Sequence, residues 1–292
     1  MINLWYENSY WNHTGGRLSG PEKVVKNTID SLQQQKIDCA INEDKHPFNF
    51  LIQYQHESAY KKHEMLEHNS CVIGPQIWLF QNDPLGKFLI ENPQYYRCLI
   101  APSEWVKNKF VTKLGLPKEK VAIWPVGIED FSNYDKTVGD IECLIYFKSR
   151  SNEELVQVQE FLDSKKITHQ LMQYGNYNEE EFIENVKLSK FCFVIDNTES
   201  QGIAIQQIMS TNTPLLVWDV DEWNYLGDRY KVPATSVPYW SEECGEKFYK
   251  LSELEIAFDK FYDKINTYNP KKIIDSELSY KVSVEKLLNC FN

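Results

Sequence analysis

The residues with the most chemical promise lie at two turns. Glu199, Ser200 and Gly202 follow the apolar run KFCFVID and precede GIAIQQIMS, whose spacing predicts a helix. A turn from a strand into a helix presents backbone N–H groups that the helix does not use, with the positive end of its dipole, and so suits an anion. Gln207 falls on the second turn of that helix, where its amide could meet a hydroxyl. Lys148 and Arg150 end the run IECLIYF, which reads as a strand, and the carboxyl edge of a parallel sheet is where open α/β folds bind ligands. Together these groups suit a diphosphate that carries hydroxyl-bearing rings. Taken singly, each is also explained as a solvated cation, a loop acid or a polar helix face.

The elements that must position them follow from apolar periodicity. INLWYEN reads as a strand, TGGRLSG as a glycine-rich loop, and PEKVVKNTIDSLQQQ as a helix with Pro21 in its first turn. KIDCAIN, FNFLIQYQ, CVIGPQIWLF and YRCLIAP are four further strand-like runs, and EWVKNKFVTKLGL is an amphipathic helix. The aperiodic stretch FSNYDKTVGD then marks a domain boundary near residues 130–140. Beyond it the chain alternates strand and helix again: IECLIYF, NEELVQVQEFLDSK, THQLMQY, EEEFIENVKLS, KFCFVID, GIAIQQIMS and TPLLVWD. Two final helices, SELEIAFDKFYDKI and SELSYKVSVEKLLNCF, are expected to close the chain without adding strands. The pattern predicts an α/β protein of doubly wound parallel sheets. An N-terminal domain spans 1–130, a second spans 131–275, and a C-terminal helix occupies 276–292.

Composition narrows the function classes. The 31 Lys and Arg against 42 Asp and Glu give a net charge of −11, which opposes general attraction to nucleic acid or an anionic membrane. An anionic ligand therefore needs a local cationic pocket. No apolar run approaches the roughly 20 residues that span a bilayer, and the polar start MINLWYENSYWNHTGG lacks a signal peptide's apolar core, so a cytoplasmic protein is expected. Seven scattered cysteines without a C-x-x-C pair are expected to be free thiols.

Several familiar motifs are missing. His63-Glu64-Met65-Leu66-Glu67-His68 resembles a zinc-protease helix but is one residue too long, which turns the second histidine about 140° from the first. The chain has no G-x-S-x-G, Walker loop or G-x-G-x-x-G, and no metal-ligand cluster of correct spacing, so no metal site is expected.

At Glu199 the chain resembles the retaining glycosyltransferases of the GT-B fold, in particular the large family four. ESQGIAIQQIMSTNTPLLV aligns without gaps with that family's Glu-x7-Glu context, matching at Glu199, Ser200, Gly202, Met209, Thr213 and Pro214. APSEWVKNKFVTKLGLPKEKVAIWPVGIE is similar to the family's passage from the N-terminal domain to the linker. SGPEKVVKNTIDSL is similar to its first helix, after the Gly15-Gly16 loop. The likeness covers about residues 14–35 and 97–220.

The resemblance implies two Rossmann-like domains facing across a cleft, and leaves open whether the C-terminal helix crosses back to the N-terminal domain. It implies metal-independent transfer of a sugar, with retention, from a nucleotide diphosphate sugar to an acceptor hydroxyl of a glycan, lipid or protein-linked sugar. No other cofactor is implied. Carried over by position, Glu199 contacts the donor sugar, amides around Gly202 and Ile203 approach the sugar or diphosphate beside Ser200, and Lys148 and Arg150 neutralise the diphosphate. Gly15 and Gly16 line the cleft, the Gly175-Asn176-Tyr177 turn takes the nucleotide base, and His56 points into the cleft. Gln207 replaces the motif's second glutamate, which accepts hydrogen bonds from ribose, and Lys148-Ser149-Arg150 replaces the usual Gly-Arg. Asp219-Val220-Asp221 has the form of a metal-holding Asp-x-Asp of another glycosyltransferase class, but it comes too late in the chain. It is expected to be a solvated strand-to-helix turn. A catalytically weak or inactive sugar-nucleotide-binding protein and a GT-B sugar-nucleotide epimerase are the alternatives.

Overall fold

The computed structural model describes residues 1–6, 18–43, 47–52, 71–75, 79–132, 139 and 141–292. The chain forms two compact units. One comprises Met1–Gly127, Asn224–Val232 and Leu278–Asn292, the other Ile128–Trp223 and Pro233–Glu277.

The first unit is built on six strands: β1 (Ile2–Trp5), β2 (Cys39–Ile41), β3 (Asn49–Leu51), β4 (Cys71–Ile73), β5 (Cys98–Ala101) and β6 (Val121–Ile123). They form one sheet in the order β2-β1-β3-β4-β5-β6, all neighbours parallel. Helix α1 (Gly20–Gln34) starts where Ser19 and Glu22 close a reciprocal capping box around Pro21, which satisfies two amides of its first turn. The apolar run at CVIGPQIWLF is shorter as a strand than the sequence suggests. Pairing stops at Ile73, and by Phe80 the chain is turning into α2 (Pro84–Glu91), whose N-cap Asp83 accepts from Gly86 N at 2.5 Å. Helix α3 (Glu104–Leu114) ends in a left-handed Gly115.

The C-terminal helix, Tyr280–Asn289, packs on α1 and belongs to this first unit. Trp124 Nε1 donates to Ser283 O at 2.9 Å, and Ser283 Oγ donates to Pro125 O at 2.9 Å. Gly127 has no room for a side chain, because a Cβ there would lie 2.7 Å from the Tyr280 ring. The first unit also takes in Asn224–Val232, where Tyr225 stacks on Phe80 with ring centroids 4.9 Å apart and the Tyr230 hydroxyl accepts from Gln81 N.

The second unit positions the site. Its strands β7 (Ile141–Phe147), β8 (His169–Gln173), β9 (Ser189–Ile195) and β10 (Leu215–Trp218) are those the sequence predicts. Between them run helices α4 (Asn152–Ser164), α5 (Glu179–Leu188) and α6 (Ile203–Ser210), and the short strands β11 (Glu222–Trp223) and β12 (Val232–Pro233) follow. The sequence reading has no strand at Gly245–Phe248, yet this segment is β13 and completes a parallel sheet of order β13-β10-β9-β7-β8. GEKF carries too little apolar character to announce itself. Its place depends on Gly245 at φ +144°, where a Cβ would meet Leu215 O at 1.8 Å.

The register puts the strand ends in one row. Phe147 pairs with both Gln173 and Ile195, Ile195 with Trp218, and Trp218 with Phe248. The next residues, Lys148, Tyr174, Asp196, Asp219 and Tyr249, therefore form the carboxyl edge. Central β9 is buried from Phe191 to Ile195, under α7 (Leu254–Asp263), whose Phe258 and Phe261 pack on Phe191. Each such aromatic contributes roughly 1.5–3 kcal/mol on burial, enough to hold the edge residues in register.

Candidate functional site

Lys148 and Glu199 meet. Lys148 Nζ is bonded to Glu199 Oε1 in an ion pair whose side chains are 23% and 13% exposed, and Lys148 also lies 4.5 Å from the centre of the Tyr174 ring. The backbone explains the meeting. Lys148 N donates to Ile195 O, which locks the end of β7 to the end of β9, and Glu199 N donates to Thr235 O, which fixes the loop beyond β9. Burial works against the Lys148 charge, but the Glu199 carboxylate bonded to it opposes that penalty, and the ammonium's pKa stays above its ordinary value.

Glu199 leads into α6 (Ile203–Ser210), whose N-cap Gly202 adopts φ +81°, ψ +48°. Only glycine takes that left-handed geometry freely, and it brings the first-turn amides of Ile203 and its successors to the same edge as Lys148. Ser200 is half-buried beside them, and the Gln201 and Gln206 amides pair with one another at 3.0 Å to brace the turn.

Other predicted residues have different surroundings. Arg150 turns toward Trp218: its guanidinium lies 4.9 Å from the ring centre, donates to Trp218 O at 3.0 Å and pairs with Glu154 at 3.1 Å. Gly175 and Asn176 are exposed in a turn after β8, whereas the Tyr177 ring is buried and stacked on Phe182, centroids 5.0 Å apart. Gln207 is buried on α6, where its amide donates to Glu179 Oε2 of the neighbouring α5 (Glu179–Leu188) at 3.4 Å. Gly15, Gly16, His56, His63 and His68 lie outside the described residues.

The Gln207 environment accounts for the missing glutamate. A carboxylate there would face Glu179 with little water between them. Gln207→Glu is expected to destabilise the fold by about 1 kcal/mol at neutral pH, with recovery when Glu179→Gln is added. Urea unfolding of the two variants measures it, and an unchanged midpoint for the single variant would refute this account.

Asp219 needs a correction. It is not in a solvated strand-to-helix turn: it is 2% exposed, and the chain continues into β11. Its carboxylate accepts from Thr235 Oγ1 at 2.6 Å, Ser236 N at 2.7 Å, Ser236 Oγ at 2.8 Å and Lys247 Nζ at 2.7 Å. Burial would raise its pKa, but Lys247 and these donors hold it below the ordinary carboxylate value. Asp221 is exposed. Among the described residues, no group of three or more His, Cys, Asp or Glu could hold a metal ion.

Three residues that sequence reasoning passed over complete the cluster. Tyr174 presents a ring 39% exposed beside Lys148, and Tyr146 on β7 is buried, where burial and then the charges of Tyr177, Glu199 and Asp196 hold its phenol well above the ordinary pKa. Asp196 is fully buried at the end of β9. An acid directly after an apolar strand at the edge that also carries Lys148 was a legible signal. It was absorbed into the strand KFCFVID.

The cysteines are free thiols, and Cys71, Cys98, Cys143, Cys192 and Cys244 are buried. No helix among the described residues is long and apolar enough to cross a membrane.

In comparisons with known proteins, the chain matches no family model and no curated protein by sequence. Solved structures do match. A glycosyltransferase from Rickettsia africae ESF-5 is similar over 99% of this chain and 97% of its own, with a TM-score of 0.60 at 9% identity. Sucrose-phosphate synthase from Thermosynechococcus elongatus covers 99% and 98%, with a TM-score of 0.59 at 10% identity. A variant of S. aureus TarM in complex with fondaparinux, alpha-GlcNAc-glycerol and UDP covers 93% of this chain and 59% of its own, with a TM-score of 0.54 at 12% identity. At such identities the likeness establishes the fold. The chain has the two-unit parallel α/β architecture of GT-B glycosyltransferases.

Proposed function

We propose that the chain is a metal-independent glycosyltransferase that moves a sugar, with retention, from a nucleotide diphosphate sugar to an acceptor hydroxyl of a glycan, lipid or protein-linked sugar. The observation that carries this reading is the Lys148–Glu199 pair at the start of α6, on the carboxyl edge of a doubly wound sheet. The UDP held by TarM, a protein of the same fold, supports it.

In this reading the donor's diphosphate draws the Lys148 ammonium from Glu199, and the freed carboxylate takes hydroxyls of the donor sugar. The amides of Gly202 and Ile203, with Ser200, hold sugar or diphosphate at the helix start. The turn at Gly175 and Asn176 lies beside the base, with Tyr174 as an exposed ring. Gly15, Gly16 and His56, which lie outside the described residues, keep the ligand-binding roles that the family resemblance implies. The acceptor hydroxyl attacks the anomeric carbon from the face the diphosphate leaves, and the barrier falls because the departing diphosphate is stabilised by fixed charge and amides. Arg150 would give up Trp218 and Glu154 to reach a phosphate, so Lys148 takes the principal role and Arg150 acts through the framework behind it.

The Gln207–Glu179 contact favours a second reading, a sugar-nucleotide-binding protein without turnover, because the ribose contact is altered. A thermal-shift screen against uridine, guanosine and adenosine diphosphates and their sugars separates the two. A ligand at about 100 times its Kd adds roughly 2.7 kcal/mol, a rise of several degrees. Stabilisation by one donor, followed by transfer or hydrolysis of its sugar, is the expected result. Binding without either makes the protein a binder, and no shift with any donor overturns both readings.

A further inference from the structure

We propose that Asp196 is a protonated acid that donates a hydrogen bond to Glu199, and so is the residue that positions the Glu199 carboxylate when Lys148 is taken up by the donor diphosphate. The last step rests on the reading of this edge as the donor site; the proton on Asp196 does not.

The argument is one of hydrogen-bond satisfaction. Asp196 is 0% exposed, and its Oδ1 accepts from Asn197 N at 2.7 Å. Its Oδ2 is buried, and no donor reaches it. An ionised carboxylate has only acceptors, and burying one of its oxygens without a donor is costly. A proton on Oδ2 turns that oxygen into a donor, and the Glu199 carboxylate lies within hydrogen-bonding reach. Glu199 is then held from two sides, by the Lys148 ammonium and by the Asp196 O–H.

The charge count agrees. Among the described residues the groups that act on Asp196 are Glu199 from the loop, Lys148 and the Tyr146 hydroxyl from β7, and, around Tyr146, Tyr174 and Tyr177 beyond β8. Among the described residues one ammonium faces two carboxyls, so a proton on one of them leaves this set neutral. Burial first, then the Glu199 charge, push the Asp196 pKa well above the usual carboxylate value, against the pull of Lys148. A neutral Asp196 serves an anion site in two ways. It withholds a second negative charge from an incoming diphosphate, and it keeps one partner on Glu199 after Lys148 leaves.

A buried acid with a raised pKa favours folding in its protonated form. Its contribution is full below the ordinary carboxylate pKa and is lost as pH rises through the folded-state value. Asp196→Asn keeps an N–H donor toward Glu199 and removes the titrating proton. Infrared spectroscopy of the wild type at neutral pH should show a buried protonated-carboxyl band that is lost as the pH is raised and is missing in Asp196→Asn. The variant should also melt higher than the wild type at neutral and alkaline pH, with the difference shrinking toward acid. Isothermal titration with uridine diphosphate completes the test: wild-type affinity should fall at alkaline pH by about tenfold, the effect of one added nearby charge, while Asp196→Asn stays level. An absent band in the wild type, which can be read without any variant, overturns the proposal, as does a band that survives Asp196→Asn. A wild type that shows the band but binds none of the uridine, guanosine or adenosine diphosphates sinks the donor-site reading instead.

Discussion

Replacing Lys148 with alanine is expected to lower sugar transfer about a hundredfold at saturating donor, the usual consequence of removing one charge of roughly 3 kcal/mol from a departing oxyanion. The loss should fall mainly on kcat, because the diphosphate carries its greatest negative charge as the glycosidic bond breaks. Lys148 is suited to this work because its charge persists: burial works against it, but the bonded Glu199 carboxylate holds the pKa above its ordinary value, so the ammonium survives well into the alkaline range. The sign for stability follows. A lysine with a raised folded-state pKa stabilises the fold below its ordinary pKa, and the contribution is lost as pH rises through the raised value. Lys148→Ala therefore also removes the ammonium bonded to Glu199, and Lys148→Arg, which keeps the charge, is the control for folding. Near-normal turnover of Lys148→Ala, measured by product formation with the donor found in the screen, would refute the phosphate role.

The largest stability effect is expected at Asp219. Its buried carboxylate ties the end of β10 to Thr235 and Ser236 in the following loop and to Lys247 on β13, and Lys247 Nζ also lies 4.7 Å from the centre of the Trp240 ring. Asp219→Ala leaves an ammonium and two hydroxyls facing a gap, and breaking a buried pair from one side costs about 3–5 kcal/mol. The effect should depend on pH in a defined direction. The folded-state pKa is depressed, so the stabilisation is present above the ordinary carboxylate pKa and disappears as pH falls through the folded value. Urea unfolding at neutral pH should show the full loss, and in strong acid the two proteins should converge. A variant that unfolds at the wild-type midpoint at neutral pH would overturn this assignment.

The pair at Asp219 also shows why sequence alone misread it. An acid two residues from a second acid, after a strand, has the spacing of a metal motif and the composition of a solvated turn. Its partner Lys247 is 28 residues away on a strand that no periodicity announces. Gly245, which lets that strand lie against Leu215, looks like any loop glycine until the neighbouring backbone is in place. Arg150 was misleading in a related way. It stands two residues from Lys148, yet the Trp218 ring lies at the end of a strand far along the chain, and the guanidinium stacks there.

Composition and periodicity alone set the local frame of the second unit. Apolar runs of strand length alternating with helical periods specify the sheet, because side chains on buried parallel strands must be apolar on both faces. Gly202 marks the turn because no other residue enters its left-handed geometry at so little cost. Glu199 and Lys148 are readable as edge residues for the same reason. Tertiary structure decided which edge residues meet. The register of β7, β9 and β10 levels the strand ends, so that Lys148 reaches Glu199 and Asp196 lies in the same row, close enough to interact with both. It also decided that Tyr280–Asn289 and Asn224–Val232 join the first unit, since the surfaces that cover them, α1 and Phe80, are distant in sequence. Local chemistry fixes elements one at a time, whereas partners across a sheet depend on packing that no short window of residues contains.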